Sequence, residues 1–227
     1  MDPESWQQRW REGRTGFHLD RVNPNLAEFF PRLDPRAGEA VFVPLCGKSV
    51  DLEWRARRGH SVIGVEVSPI AVESFFTEQG RAPVHRSTGH CERWEDPPIC
   101  IWCGDFFGLC AQDVTPARLF YDRAALIALP EELRARYAAK LAALLPDTAR
   151  GLLITFEYPQ EAMAGPPFSV SEAEVTALYE GAFAIRRLAR RDVLGEHRRF
   201  QELGLDTLIE SVYLLERGEH AGDSDRS

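Results

Sequence analysis

The residues best suited to chemistry are the carboxylates and cations that close short apolar runs. "AVFVPL" (40–45) leads into the turn "CGKS". "HSVIGVEVS" (60–68) carries Glu66 near its end, and "ICIWC" (99–103) is followed by Gly104, Asp105 and Phe106. "ARLFYDR" (117–123) ends in Asp122 and Arg123. The stretch "VFVPLCGKS" (41–49) finishes like a phosphate-binding loop, G-x-x-x-x-G-K-[ST]. The first glycine of that pattern falls on Phe42, so the pattern fails. Lys48 and Ser49 then read as residues at a helix start rather than as phosphate ligands.

Glu66 lies 19 residues after Gly47. An acid at the end of a second strand, about twenty residues after the first glycine turn, suits the ribose hydroxyls of an adenosine. NAD and FAD carry a pyrophosphate and ordinarily need several glycines for close backbone approach. "PLCGKS" has one glycine and Pro44. A compact methionine end without phosphate fits the backbone of Leu45, Cys46 and Gly47, so the residues point to S-adenosylmethionine. After the third strand, Asp105 or its backbone can then meet the adenine amino group, with Phe106 flanking the ring. A dinucleotide-dependent oxidoreductase is the disfavoured reading.

These residues need a scaffold that brings strand ends together. "SWQQRWRE" predicts a short helix with Trp6 and Trp10 on one face, at i, i+4. The apolar runs predict strands at 40–45, 60–68, 99–107, 117–123 and 150–158. Helices fit between them. One follows Lys48 and stops at Gly59. A second is capped by Ser68 with Pro69 at its first position and stops at Gly80. A third starts at Pro130, with Leu133, Tyr137, Leu141 and Leu144 in helical period. The polar segment 81–98 has room for a small hairpin, and "AIRRLARRDV" with "DTLIESVYLLER" reads as a closing antiparallel pair. Strand–helix alternation predicts an α/β protein with a mostly parallel sheet, an antiparallel edge hairpin and ligands at the carboxyl ends of the strands. One domain is expected over 1–217, with an N-terminal lid over about 1–30 and a disordered tail at 218–227.

Composition narrows the function classes. The chain has 227 residues, 44% of them hydrophobic, and a formal net charge of −8. An acidic chain argues against general nucleic-acid binding. No apolar run is long enough for a bilayer span, and the N-terminus has no apolar signal core. The expectation is a soluble, cytoplasmic monomer acting on a small molecule, with no membrane or nucleic-acid partner. The five cysteines (46, 91, 100, 103 and 110) are odd in number and read as reduced thiols. Cys100 and Cys103 sit three apart on a strand and so on opposite faces, with no second pair to complete a metal site; none is expected.

The stretches "WQQRWREGRTGFH", "NPNL", "VPLCGKSVDLEW", "GHSVIGVEVSPIAVESFF", "GDFF", "YDRAALIALP" and "GPPFSV" resemble the thiopurine S-methyltransferases, the bacterial members above all. They span residues 5 to about 215. The resemblance implies the seven-stranded class I S-adenosylmethionine-dependent methyltransferase (Rossmann-like) fold. It implies cofactor contacts from Trp10, Leu45, Glu66 and Arg123, with Gly104 and Asp105 where adenine contacts lie. Phe17 falls at the border of the acceptor pocket and Arg199 at a pocket arginine. Matches are weakest over 81–98 and 184–199. The implied activity is S-methylation of aromatic and heterocyclic thiols such as 6-mercaptopurine. Selenium or tellurium species are the alternative acceptors, and a non-catalytic S-adenosylmethionine-binding protein the alternative of another class. Arg123 and Arg199 are candidates to favour the thiolate or orient the ring. Asp122 is a candidate to hold Arg123 or to accept a proton through water, and the prolines of "AGPPFSV" to wall the pocket.

Overall fold

The computed structural model describes residues 3–218 except Phe17 and His90. Phe17, and the tail from residue 219 on, therefore lie outside the described residues. The chain order is α1 (Pro3–Arg11), α2 (Pro24–Phe29), β1 (Val41–Val43), α3 (Val50–Ala56), β2 (Val62–Glu66), α4 (Pro69–Glu78), β3 (Val84–Ser87), β4 (Glu92–Asp96) and β5 (Ile99–Cys103). It continues with α5 (Ala111–Val114), β6 (Leu119–Arg123), α6 (Glu131–Leu144), β7 (Arg150–Glu157), α7 (Glu172–Tyr179), β8 (Ala184–Asp192), α8 (Arg198–Glu202) and β9 (Ile209–Glu216).

One sheet runs β3-β4-β5-β2-β1-β6-β7-β9-β8. Its centre, β5 to β7, is parallel, while β9 runs antiparallel to β7 and β8 to β9. Among the described residues the sheet has nine strands rather than the expected seven. The additional pair is the β3–β4 hairpin of the polar 81–98 segment, which adds antiparallel to β5. Both outer strands are thus antiparallel, and β3 is exposed along its length. Its residues are polar except Val84, as suits an unpaired edge.

Alternation along the strands sorts the core onto two faces. Phe42, Ile63, Val65, Phe120 and Leu153 pack with α5, α6 and α7 residues such as Tyr137, Leu141 and Val175. Val41, Val43, Val62, Tyr121 and Leu152 pack on the other face with Leu26, Leu52 and Phe75 from α2, α3 and α4. Helices on both faces leave the carboxyl ends of the parallel strands as the open rim. The caps follow from residue type. Ser68 Oγ accepts from Ala71 N at 3.4 Å, with Pro69 first in α4, and Ser49 Oγ accepts from Asp51 N at 3.2 Å at the start of α3. No helix among the described residues is long and apolar enough to cross a membrane.

Candidate active site

A cavity of about 470 Å³ opens at that rim. One side is built by the ends of β1, β2 and β5. The turn after β1 bends sharply: Leu45 has φ 45 and Gly47 φ 54. A left-handed leucine costs on the order of 1–2 kcal/mol, so its neighbours must hold it. Cys46 N donates to Val65 O at 2.9 Å, and Gly47 N donates to Glu66 Oε2 at 2.9 Å. β2 comes so close that a Cβ on Gly64 would meet Cys46 Sγ at 2.8 Å.

Glu66 is the chemical centre of this side. It is buried, and its Oε1 accepts from Ser68 N at 2.8 Å. Burial outweighs these backbone donors and pushes the carboxyl up from its usual 4.5 to about 7. A carboxylate has about four lone-pair sites, so backbone donors leave it capacity towards the cavity it lines. Gly104 and Asp105 follow β5, with Gly104 N donating to Glu66 O at 2.9 Å. Asp105 Oδ1 caps the next turn through Phe107 N at 3.0 Å, and the residue remains exposed. Phe106 is buried against Tyr137, ring centroids 4.9 Å apart. Leu45, Cys46, Gly47, Glu66, Gly104, Asp105 and Phe106 all line the cavity.

The N-terminal segment lines the cavity as well. Trp10 on α1 is buried, and Trp6, Arg9 and His18 line the cavity with it. Burial, then the charge of Lys48, lowers the His18 pKa. Lys48 lines the cavity while its Nζ pairs with Glu78 Oε1 at 2.5 Å.

The opposite side comes from β6, β7, β9 and the 193–208 connection. Arg123 lines it, followed by Ala124 at φ 61. Of the three non-glycine residues with positive φ among those described, Leu45 and Ala124 both face this cavity. Phe156, Pro166, Pro167 and Phe200 supply apolar walls; His197 lies edge-on to Phe156 and Phe200, centroids 5.7 and 5.6 Å away. The expected proline wall is present. Arg199 lines the cavity and touches the N-terminal loop: a Cβ on Gly16 would lie 2.3 Å from its Nη1.

Asp122 is placed differently from the expectation. It does not line the cavity. It is fully buried, accepting from Leu126 N at 3.1 Å and from the Tyr137 hydroxyl at 2.7 Å. On a strand, neighbours point to opposite faces; with Arg123 turned to the cavity, Asp122 is turned into the core. Its geometry is that of a brace for the β6–α6 connection, not of a proton acceptor or a partner of Arg123. Sequence reasoning also passed over Asp51, Tyr121, His197 and Glu210, all of which line the cavity. Asp51 Oδ1 accepts from Asn23 N at 2.9 Å and its Oδ2 from the Tyr121 hydroxyl at 3.1 Å. Among the described residues no group of His, Cys, Asp or Glu is arranged to hold a metal ion, and all five cysteines are free.

The sheet order and the rim cavity with its strand-end acid define a class I S-adenosylmethionine-dependent methyltransferase fold. Solved structures agree. The 1,6-didemethyltoxoflavin-N1-methyltransferase of Burkholderia thailandensis is 16% identical with a TM-score of 0.63, covering 96% of this chain and 87% of that one. A TehB-like SAM-dependent methyltransferase of Corynebacterium glutamicum is 12% identical with a TM-score of 0.56, covering 95% and 98%. The family model of the thiopurine S-methyltransferases matches residues 1–218. A thiopurine S-methyltransferase of Pseudomonas aeruginosa is 49% identical over 96% of this chain and 100% of its own. One of Nitrosospira multiformis is 48% identical over 95% and 98%. The chain belongs to the thiopurine S-methyltransferase family: it is a methyltransferase and its cofactor is S-adenosylmethionine.

Proposed function

We propose that the enzyme S-methylates aromatic and heterocyclic thiols, thiopurines such as 6-mercaptopurine among them. One observation carries the reading: Arg123 shares a slot with the flat apolar walls of Phe156, Pro166, Pro167 and Phe200, in the same cavity that Glu66 and the 45–47 turn enter from the other side. Flat walls suit a planar ring. A cation beside a thiol favours its ionised form.

S-adenosylmethionine supplies a methyl group already activated on a sulfonium sulfur, so alignment and desolvation are what remains for the chain. Glu66, with Gly47 N–H and Ser68 N–H locking its carboxylate, would accept ribose hydroxyls. Trp10, with the backbone of Leu45, Cys46 and Gly47, would hold the methionine end. Gly104, Asp105 and Phe106 would take the adenine. On the other side Arg123 would steady the thiolate, and Arg199 would contact the ring. A buried indole face beside a cation gains on the order of 0.5–2 kcal/mol, which suits Trp10 to a sulfonium.

Small hydrated oxyanions such as selenite and tellurite gain little from aromatic walls, which favours the thiol reading. The test is a labelled methyl-transfer assay offering 6-mercaptopurine, thiophenol, selenite and tellurite separately. Transfer to the two thiols at higher kcat/KM than to either oxyanion supports the reading; the reverse order refutes it.

A further inference from the structure

Four carboxylates line the cavity: Asp51, Glu66, Asp105 and Glu210. Three are committed. Asp51 spends one oxygen on Asn23 N and the other on the Tyr121 hydroxyl, Glu66 is locked by backbone donors on the cofactor side, and Asp105 caps a turn there. Glu210 differs. It is the second residue of β9, directly across from Phe156 of β7 in the antiparallel register, and so stands on the acceptor side. Its Oε2 accepts from Asn25 Nδ2 at 2.5 Å, while its Oε1 accepts no hydrogen bond from the described residues.

We propose that Glu210 Oε1 accepts the ring N–H of heterocyclic acceptors and selects for acceptors that carry one. The proposal rests on the thiol reading above. Heterocyclic thiols with a nitrogen next to the sulfur-bearing carbon exist largely as thiones, with N–H and C=S. Sulfur in that form becomes a full nucleophile only as the N–H proton departs. The balance is simple: the N–H bond breaks and its electron pair becomes ring C=N; the C=S π pair moves to sulfur, which forms the new S–CH3 bond. The proton ends on Glu210 Oε1, and the methyl's former bond pair stays on the departing sulfur. Arg123 attracts the growing negative charge on sulfur while Glu210 takes the proton, so the two opposite charges on this side serve the two ends of one N–C–S unit. The Asn25 bond holds the carboxylate in place from the N-terminal segment, where Asn23 caps α2.

The electrostatics fit a proton acceptor. Burial raises the Glu210 pKa. The Asn25 hydrogen bond and the charges of Arg123 and Arg191 oppose that rise, and Glu196 adds to it. Of the other titratable groups lining the cavity here, His197 has its pKa lowered and Tyr121 has its raised, burial being the first cause in both. Glu210 accepts a proton only when ionised, so transfer to an N–H acceptor falls as pH drops through its raised pKa.

The test compares 2-mercaptopyridine, a thione with a ring N–H, with thiophenol, which has no ring nitrogen, at saturating S-adenosylmethionine. Glu210→Gln keeps an oxygen for Asn25, and its S-adenosylhomocysteine affinity, read by calorimetry, reports an intact fold. The fall in kcat/KM on Glu210→Gln should be at least about tenfold larger for 2-mercaptopyridine than for thiophenol. The acid limb of the 2-mercaptopyridine profile should vanish with it. Equal falls for both acceptors overturn the proposal, as does an acid limb that survives Glu210→Gln but disappears in His197→Gln. Should Glu210→Gln not fold, the wild-type profiles decide. Once each profile is corrected for the acceptor's own ionisation, an acid limb with 2-mercaptopyridine that thiophenol lacks supports the assignment, and a limb common to both overturns it. Wild-type enzyme that transfers to neither acceptor refutes the thiol reading itself, a result distinct from equal falls.

Discussion

Gly47 N–H donates to Glu66 Oε2 at 2.9 Å, joining the turn after β1 to the end of β2 across 19 residues. The bond makes one unit of two features that look independent in the sequence. A lone glycine supplies a positive-φ turn, and the acid it faces anchors that turn. Replacing Glu66 with alanine should weaken S-adenosylhomocysteine binding at least tenfold, about 1.4 kcal/mol, while the protein still folds. Calorimetry showing unchanged affinity removes Glu66 from the cofactor site.

The same carboxyl should make cofactor binding pH-dependent. Burial raises its pKa to about 7, so on the proposed role a proton would have to leave below that pH before the carboxylate could accept two ribose hydroxyls. Affinity for S-adenosylhomocysteine should rise with pH and be about tenfold weaker at pH 6 than at pH 8. Glu66→Gln should lose that slope. Titration calorimetry at the two pH values gives the answer; a slope that persists in Glu66→Gln assigns it to another group.

Asp122 is a stability residue by its contacts. Tyr137→Phe strands a buried carboxyl oxygen and should destabilise by about 1–3 kcal/mol. Linkage gives a second signature. The Asp122 carboxyl is raised from its usual 3.8 to about 6, so across that window the folded protein holds a proton that the unfolded chain has released. Stability therefore falls as pH rises from about 4 to 6, and Asp122→Asn should flatten this part of the denaturation-versus-pH curve. A variant that keeps its stability and pH dependence but loses turnover would return Asp122 to the chemistry.

Arg123 should show the opposite balance. Arg123→Ala should lower methyl-transfer kcat/KM at least about tenfold, as for loss of a charged group that acts in the transition state, with a smaller change in Tm. Equal catalytic efficiency in the variant sinks the role.

Gly16 meets the tip of a flexible side chain rather than backbone. Gly16→Ala would force Arg199 to move, since the added Cβ would fall 2.3 Å from Nη1. A displaced acceptor group costs rate more than fold. Acceptor kcat/KM should drop by about tenfold with Tm unchanged. Steady-state kinetics beside a melting curve checks this, and unaltered kinetics would place Arg199 outside the acceptor slot.

Strand ends were legible in the sequence wherever apolar runs stopped at a charged or glycine residue. This is why the sequence alone puts Gly47, Glu66, Gly104 and Arg123 at strand ends, and all four line the cavity. The caps at Ser68 and Pro69 were legible for the same local reason. The β3–β4 pair was only partly so: its residues alternate weakly, and its place in the sheet is set by pairing with β5. Asp122 misled because adjacency in sequence says nothing about which face of a strand a side chain takes until the register is fixed. Glu210 and His197 gave no local signal. β9 reaches the rim only because it runs antiparallel to β7, a relationship between residues more than fifty positions apart. Ala124's left-handed backbone likewise carries no mark of residue type.

The acceptor atom is the most direct point of test. Wild-type enzyme with methyl-13C-labelled S-adenosylmethionine and 6-mercaptopurine gives a product whose labelled methyl carbon reports its bonded atom by NMR. A methyl on sulfur is the predicted result. A methyl on a ring nitrogen, or no transfer to 6-mercaptopurine, would contradict the account.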